Sequence, residues 1–178
     1  TSYSPRPLVY YMGQEEHPDD YQILIDRFIK SLNISKEEGL LLVGHGGLGS
    51  GNSSYGNLQF KLIRDGLTNV RVAVLENAPY VADVAMPWEW LDGKRPNTIH
   101  LHPLLLVLGD HAQNDLFGDE EDSVVNELTE AGYEVNPINA GLGEYEVIQD
   151  IFRQHLQDCI DDLYGKRSPH RPAIPNIK

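Results

Sequence analysis

The chain is poor in cysteine, in positive charge and in long apolar runs, and each shortage removes a class of function. A single cysteine, Cys159, leaves no intramolecular disulfide and no thiolate zinc site. Its neighbours, Leu156, Gln157, Asp158 and Ile160, read as helical, so a packed and inert thiol is expected. Lysine and arginine number 14 against 27 aspartates and glutamates, a net charge of −13 over 178 residues. Such a chain has no basic footprint for nucleic acid or for an anionic membrane, and it suits a cation better, whether a metal or a basic partner. No apolar run approaches the roughly 20 residues that a membrane-spanning helix needs. No signal-peptide pattern is visible. The cytoplasm is therefore the expected compartment, with an extracytoplasmic one as the alternative if the chain, which starts at Thr1, is a processed piece.

What remains is a globular composition, 40% hydrophobic and long enough for one domain with a proper core. Residues 7–12 read as a short strand. Residues 19–32 repeat apolar side chains at Ile23, Leu24, Phe28 and Ile29 with a helical period. The run 40–43 is continuously apolar, as in a parallel strand covered on both faces. A glycine- and serine-rich loop at 44–56 leads to a helix at 57–65, which Gly66 can end. A strand at 70–75 is followed by the loop Glu76-Asn77-Ala78-Pro79 and a helix at 80–91. A turn-rich connection at 92–97 precedes an apolar strand at 99–108 and a polar loop. A helix at 123–131, a strand at 133–138, a loop at 141–143 and a long amphipathic helix at 145–163 complete the pattern. Residues 165–178 carry three prolines and little apolar content, so an extended tail is expected.

This alternation implies an α/β fold: a doubly wound, mainly parallel, four-stranded sheet. A flavodoxin-like winding puts the strands in the order 2-1-3-4, counted from Leu40. The expected division is an opening strand and helix at 1–38, an α/β domain at 39–164 and the tail at 165–178.

The chemistry concentrates where strands end. GDHAQNDLFGDEEDS, residues 109–123, follows an apolar run and contains His111 among several carboxylates. His45 lies in GHGG at the end of the first strand, and Glu76 closes the strand between them in sequence. Imidazoles at neighbouring strand ends converge on one crevice, which is where open α/β sheets bind ligands. Two histidines and a carboxylate form a ligand set for a divalent first-row metal that needs open positions. No local HxE or HExxH spacing adds to this, so the set rests on strand order. Taken singly, His45 or His111 reads as well as a histidine bonded to loop backbone.

Other features divide similarly. GHGGLG fits the dinucleotide pattern, but residues 50–56 are poor helix formers, and Asp65 precedes the second strand instead of closing it. The acidic run Asp119-Glu120-Glu121-Asp122 reads as charge in a helix first turn, or as a feature that delivers cations. Trp88 and Trp90 could flank a flat ligand, or be core and rim of a helix. His100 and His102 share one strand face and read as packed, while His17, His155 and His170 look like surface residues.

At residues 109–123 the chain resembles the anaerobic sirohydrochlorin cobaltochelatases, class II chelatases related to ferrochelatase. LLLVGHGG resembles the strand and loop of that family's other active histidine, VLENAP its strand ending in a metal-binding glutamate, and GLGEYEVIQDIFRQHLQDCI its closing loop and helix. The likeness covers roughly residues 13–163 and is to the carboxyl-terminal half; long members carry two α/β halves with the tetrapyrrole between them. After GHG this chain has Gly47-Leu48-Gly49-Ser50-Gly51 where the family usually has threonine, and its 86–98 connection is longer.

The resemblance implies a chelatase fold and insertion of a divalent metal into a sirohydrochlorin-type tetrapyrrole, in anaerobic cobalamin biosynthesis. The metal is substrate: Co²⁺ first, with Fe²⁺ or Ni²⁺ as alternatives, and no organic cofactor. His45, Glu76 and His111 would hold it above the macrocycle, one of them accepting a pyrrole proton. Gly46, Gly47, Trp88 and Asp110 would line the tetrapyrrole. The alternative is a haem- or metallotetrapyrrole-binding or dechelatase protein built on the same fold. A homodimer or a missing amino-terminal half would complete the site. The substrate's many carboxylates meet a chain at −13, and Lys61, Arg64 and Arg71 are not obviously at strand ends, so another half or subunit could supply the positive charge.

Overall fold

The computed structural model describes residues 8–9, 19–48 and 50–163. Its contacts fall into two compact units, one of Thr1–Leu32 with Glu144–Lys178 and one of Asn33–Gly143. In chain order the helices are α1 (Asp20–Arg27), α2 (Ser53–Arg64), α3 (Val81–Val84), α4 (Asp110–Phe117), α5 (Val124–Glu130) and α6 (Glu146–Leu163). The strands are β1 (Gly39–Gly46), β2 (Val70–Glu76), β3 (Thr98–Pro103) and β4 (Glu134–Pro137). All pairings are parallel and the spatial order is β2-β1-β3-β4, the order expected from the alternation. None of the helices is long and apolar enough to cross a membrane, among the described residues.

The second unit is built around β1. Leu40, Leu41, Leu42 and Val43 are all buried, which is why the run shows no alternation. Leu41 and Val43 share one face with Ala73, Ile99 and Leu101, and on that face pack Val81 and Val84 of α3, Trp88, Leu116 of α4, and Val124 and Leu128 of α5. The edge strand β2 is tied to α2 by one side chain: Gln59 donates to Val70 O (3.1 Å) and accepts from Val72 N (2.8 Å). That satisfies backbone groups that an edge strand would otherwise present unpaired. Arg71 is wholly buried, donating to Thr68 O, to Val70 O and to Trp88 O (2.9 Å). Its guanidinium lies 4.8 Å from the Trp88 ring centre and 5.2 Å from that of Trp90.

In the first unit, Asp19 caps α1 by accepting from Gln22 N (2.6 Å). The rings of Phe28 and Tyr145 meet edge-on at 4.8 Å. His155 of α6, expected on the surface, is buried and pairs with the buried Asp20 of α1 at 3.1 Å. Its place on the helix face toward α1 decides this, and a lone polar residue does not announce that face.

Several boundaries move, for local reasons. The helix expected at 80–91 shrinks to α3, because Pro87 lacks an N–H and restrains its predecessor; a 3₁₀ turn at Trp88–Trp90 follows. The strand expected at 99–108 stops at Pro103. Leu104 still donates to Val43 O, but Leu105 O and Leu106 O accept from Leu142 and Gly143 instead. The polar loop after it contains α4, and the helix expected from 57 starts at Ser53. Gly66, at φ +77°, ends α2 as expected. The acidic run 119–122 lies ahead of α5 and not in its first turn, and the cap is Ser123, which accepts from Asn126 N. Of the strand expected at 7–12 only the bend at 8–9 is described; His17, His170 and the 165–178 tail lie outside the described residues.

Glu127 offers a check on α5. Burial raises its carboxyl above the ordinary glutamate range, helped by the charges of Asp122 and Glu130. A group raised in this way favours the fold below its unfolded pKa and loses that contribution as pH rises through the folded one. Glu127→Gln is expected to raise the urea midpoint at neutral pH, with the gain vanishing once the wild-type carboxyl is protonated in both states.

Candidate metal centre

The site forms where β1 and β2 end together. Gly46 is registered against Glu76 and has φ +81°. A Cβ there would lie 2.0 Å from Glu76 O, so only glycine lets the two backbones approach this closely. The consequence is that the side chains of His45 and Glu76 meet at the sheet edge, Nδ1 to Oε2 4.0 Å, with 58% and 61% of each exposed. His45 Nδ1 also lies 3.2 Å from Gly46 O. A carbonyl can only accept, so that bond places the hydrogen on Nδ1 and leaves the lone pair on Nε2. From its position Glu76 can orient the imidazole through the Nδ1 side or, after a side-chain rotation, join Nε2 on one ion. Asn52, in the turn before α2, donates to Ala78 O (3.2 Å) and ties the loop after β1 to the loop after β2.

By strand alternation His45 shares the face of Leu41 and Val43, the face on which α4 packs through Leu116. His111 is the second residue of α4 and is exposed. It is not on a strand end, because β3 stops at Pro103 and the chain runs on before α4 begins. Among the described residues no three His, Cys, Asp or Glu side chains stand close enough to hold one ion. The structure therefore brings His45 and Glu76 together and leaves His111 apart from a three-donor group.

The expected lining residues separate as well. A Cβ at Gly47 would meet nothing within 4 Å, so the loop backbone is open to a ligand there. Asp110 is exposed at the start of α4. Trp88 is a correction: it is buried in the core, and its ring occupies the space beside Gly39, 2.7 Å from where a Cβ would stand. Gly39 begins β1, so Trp88 packs at the opposite end of the strands from His45, fixed there by Arg71. Trp90 is 48% exposed, the rim to Trp88's core.

Sequence reasoning missed an apolar rim. Leu48 after β1 is 97% exposed, Tyr80 after β2 48%, and Leu106 and Val107 after β3 48% and 77%. The signal was the unbroken LLLVL that follows Pro103, which reads as strand unless the proline is taken as its end.

The sequence profile of the cobalt chelatase (CbiK) family matches residues 4–161. The chain is 29% identical over 144 residues, 80% of its length, to the sirohydrochlorin cobaltochelatase of Salmonella typhimurium, of which this covers 53%. It is 29% identical over 127 residues, 71% of its length, to the sirohydrochlorin cobaltochelatase CbiKC of Nitratidesulfovibrio vulgaris, of which this covers 44%. The chain thus spans about half the length of these curated relatives.

Gly46→Ala is expected to cost about 2–4 kcal/mol in a denaturant titration, from a clash and a positive φ together. It should weaken Co²⁺ binding with it. Gly47→Ala, with open space at its Cβ, should leave stability within about 0.5 kcal/mol.

Proposed function

The chain belongs to the cobalt chelatase (CbiK) family, and on that premise we propose that it inserts a divalent metal, Co²⁺ foremost, into a sirohydrochlorin-type tetrapyrrole, as in anaerobic cobalamin biosynthesis. The observation that carries the reading is the His45–Glu76 pair at the edge formed by the strands' carboxyl ends, ringed by Leu48, Tyr80, Leu106 and Val107. Metal insertion brings a partly dehydrated ion against a flat macrocycle and takes two protons from its pyrrole nitrogens. A neutral imidazole serves either task near pH 7: Nε2 of His45 can bind the ion or accept a proton. Glu76 adds negative charge beside it and steadies the imidazolium or the ion. His111, carried on α4 above the same sheet face, is proposed as the third donor, closing in when metal is present. A site with few donors suits an ion that must leave; four fixed protein ligands would retain it.

The apolar rim suits the macrocycle face, with Gly47 and Asp110 at its border. A single lobe covers one face only, and small-molecule sites bury most of their ligand. The second wall is proposed to come from another lobe or a second copy. Exposed apolar side chains would also hold a finished metallotetrapyrrole without inserting anything, so haem binding or metal removal is the second reading.

The separating experiment is an absorbance assay of Co²⁺ with sirohydrochlorin under anaerobic conditions, run beside a haem titration. Metal-dependent spectral conversion that exceeds the spontaneous rate supports insertion; tight haem binding with no conversion supports the second reading. Glu76→Gln should weaken Co²⁺ binding severalfold while changing stability by less than about 1 kcal/mol, as for an exposed site residue. A large stability loss with unchanged affinity would assign Glu76 a structural role.

A further inference from the structure

Charge in the sheet-bearing unit is sorted along the strand direction. Residues 33–143 contain six cations, Lys36, Lys61, Arg64, Arg71, Lys94 and Arg95. Lys36 precedes β1, Lys61 and Arg64 lie in the last turn of α2 as it delivers the chain to β2, Arg71 is the second residue of β2, and Lys94 and Arg95 precede β3. All six belong to the amino edge of the sheet. Lys36, Lys94 and Arg95 line a single cavity there with Glu38, Asn69 and Pro96, residues that lead into the first three strands. The carboxyl edge is the reverse. Glu76, Asp110, Asp115 and the run Asp119-Glu120-Glu121-Asp122 supply seven carboxylates, and from 96 to 143 there is neither lysine nor arginine. At the centre of this acidic edge stand the exposed side chains of Leu48, Tyr80, Leu106 and Val107.

An edge of this kind attracts a metal cation and repels a polycarboxylate macrocycle. It also repels itself: a twofold pairing would set seven carboxylates against seven more. Exposed apolar groups ringed by one sign of charge call for a surface of the same shape and opposite sign. We propose that the carboxyl edge docks a basic partner lobe, with arginines or lysines around an apolar centre, and that this lobe, not a second copy of the same edge, holds the carboxylates of the substrate. The inference rests on the tetrapyrrole reading of this edge and says which side of the cleft carries which charge.

Two synthetic porphyrins test it on the chain alone. The tetrakis(N-methylpyridinium) porphyrin is cationic; the tetracarboxyphenyl porphyrin is anionic. Titrations followed at the Soret band should give at least tenfold tighter binding of the cationic ring at low salt, narrowing at about 0.5 M NaCl as screening sets in. Neutralising Asp119, Glu120, Glu121 and Asp122 together to Asn and Gln should remove most of that preference. Neutralising the same number of exposed carboxylates on α1 and α6 should not. Leu106→Ser with Val107→Ser should weaken both rings alike. Sedimentation should show no dimer that Val107→Asp dissolves. Tight binding of the anionic ring by the unmodified chain, or a stable dimer broken by Val107→Asp, would overturn the proposal. A parallel Co²⁺ titration with His45→Ala reads the metal site separately. A chain that binds no cobalt yet prefers the cationic ring would sink the chelatase reading and not the charge assignment.

Discussion

The candidate site depends on one close approach between two backbones. Parallel strands ending in register bring their last residues side by side, but ordinarily at a distance that leaves room for Cβ atoms. Here Gly46 sits so near Glu76 O that a methyl group would fall 2.0 Å from it. The residue before the glycine and the residue opposite it are then forced into the same small volume at the sheet edge. That is how a histidine and a glutamate separated by thirty positions in sequence come to stand 4.0 Å apart without any local motif. Asn52 bridging to Ala78 O holds the two following loops in the same relation.

The other end of the sheet is governed by Arg71. Burying a guanidinium is expensive unless its donors are matched, and burial indeed pushes its pKa down, with Asp92 and Tyr133 opposing. The donors reach three backbone carbonyls, and the indole rings of Trp88 and Trp90 cover the planar charge. Nε is left without a hydrogen-bond partner among the described residues. This arrangement makes the turn at Trp88–Trp90 part of the core's foundation. It explains why a tryptophan that looks suited to stacking on a flat ligand is not available to do so.

The strand order was legible because it follows from coarse features: continuous apolar runs alternating with helical periods, and the right-handed winding that parallel strands require. The pairing of His45 with Glu76 was legible for the same reason, since both close strands that the pattern placed. What was not legible turned on prolines and on packing. Pro87 and Pro103 each cut short an element whose apolar content alone would have continued. The second of these carried His111 off the strand end and onto a helix whose sequence, DHAQNDLF, reads as loop. Gly56 and Ser53 to Tyr55 are poor helix formers, yet they lie in α2, where Tyr55 fills the space beside Gly44. His155 shows the same limit, since its burial depends on which face of α6 meets α1, a property of the assembled pair of helices.

These features combine into a division of labour along a single axis. The amino edge holds the cations, the buried arginine and the indole packing that make the lobe stable. The carboxyl edge holds the exposed imidazole and carboxylates and an apolar rim that contributes little to folding, because it is left in water. A group that must accept an ion, bring it to a ring and then let it go cannot be deeply buried or fully coordinated, since either would trap the charge. Leaving the donor pair exposed keeps its hold on the ion weak until a second surface covers it. Closure would then strengthen every charge interaction in the cleft by expelling water, at the moment when the ion is to move from imidazole to pyrrole nitrogen. On this view the open, acidic, apolar edge is the natural form of one wall of a two-walled site, and its incompleteness is what makes metal transfer reversible at the protein and directional toward the ring.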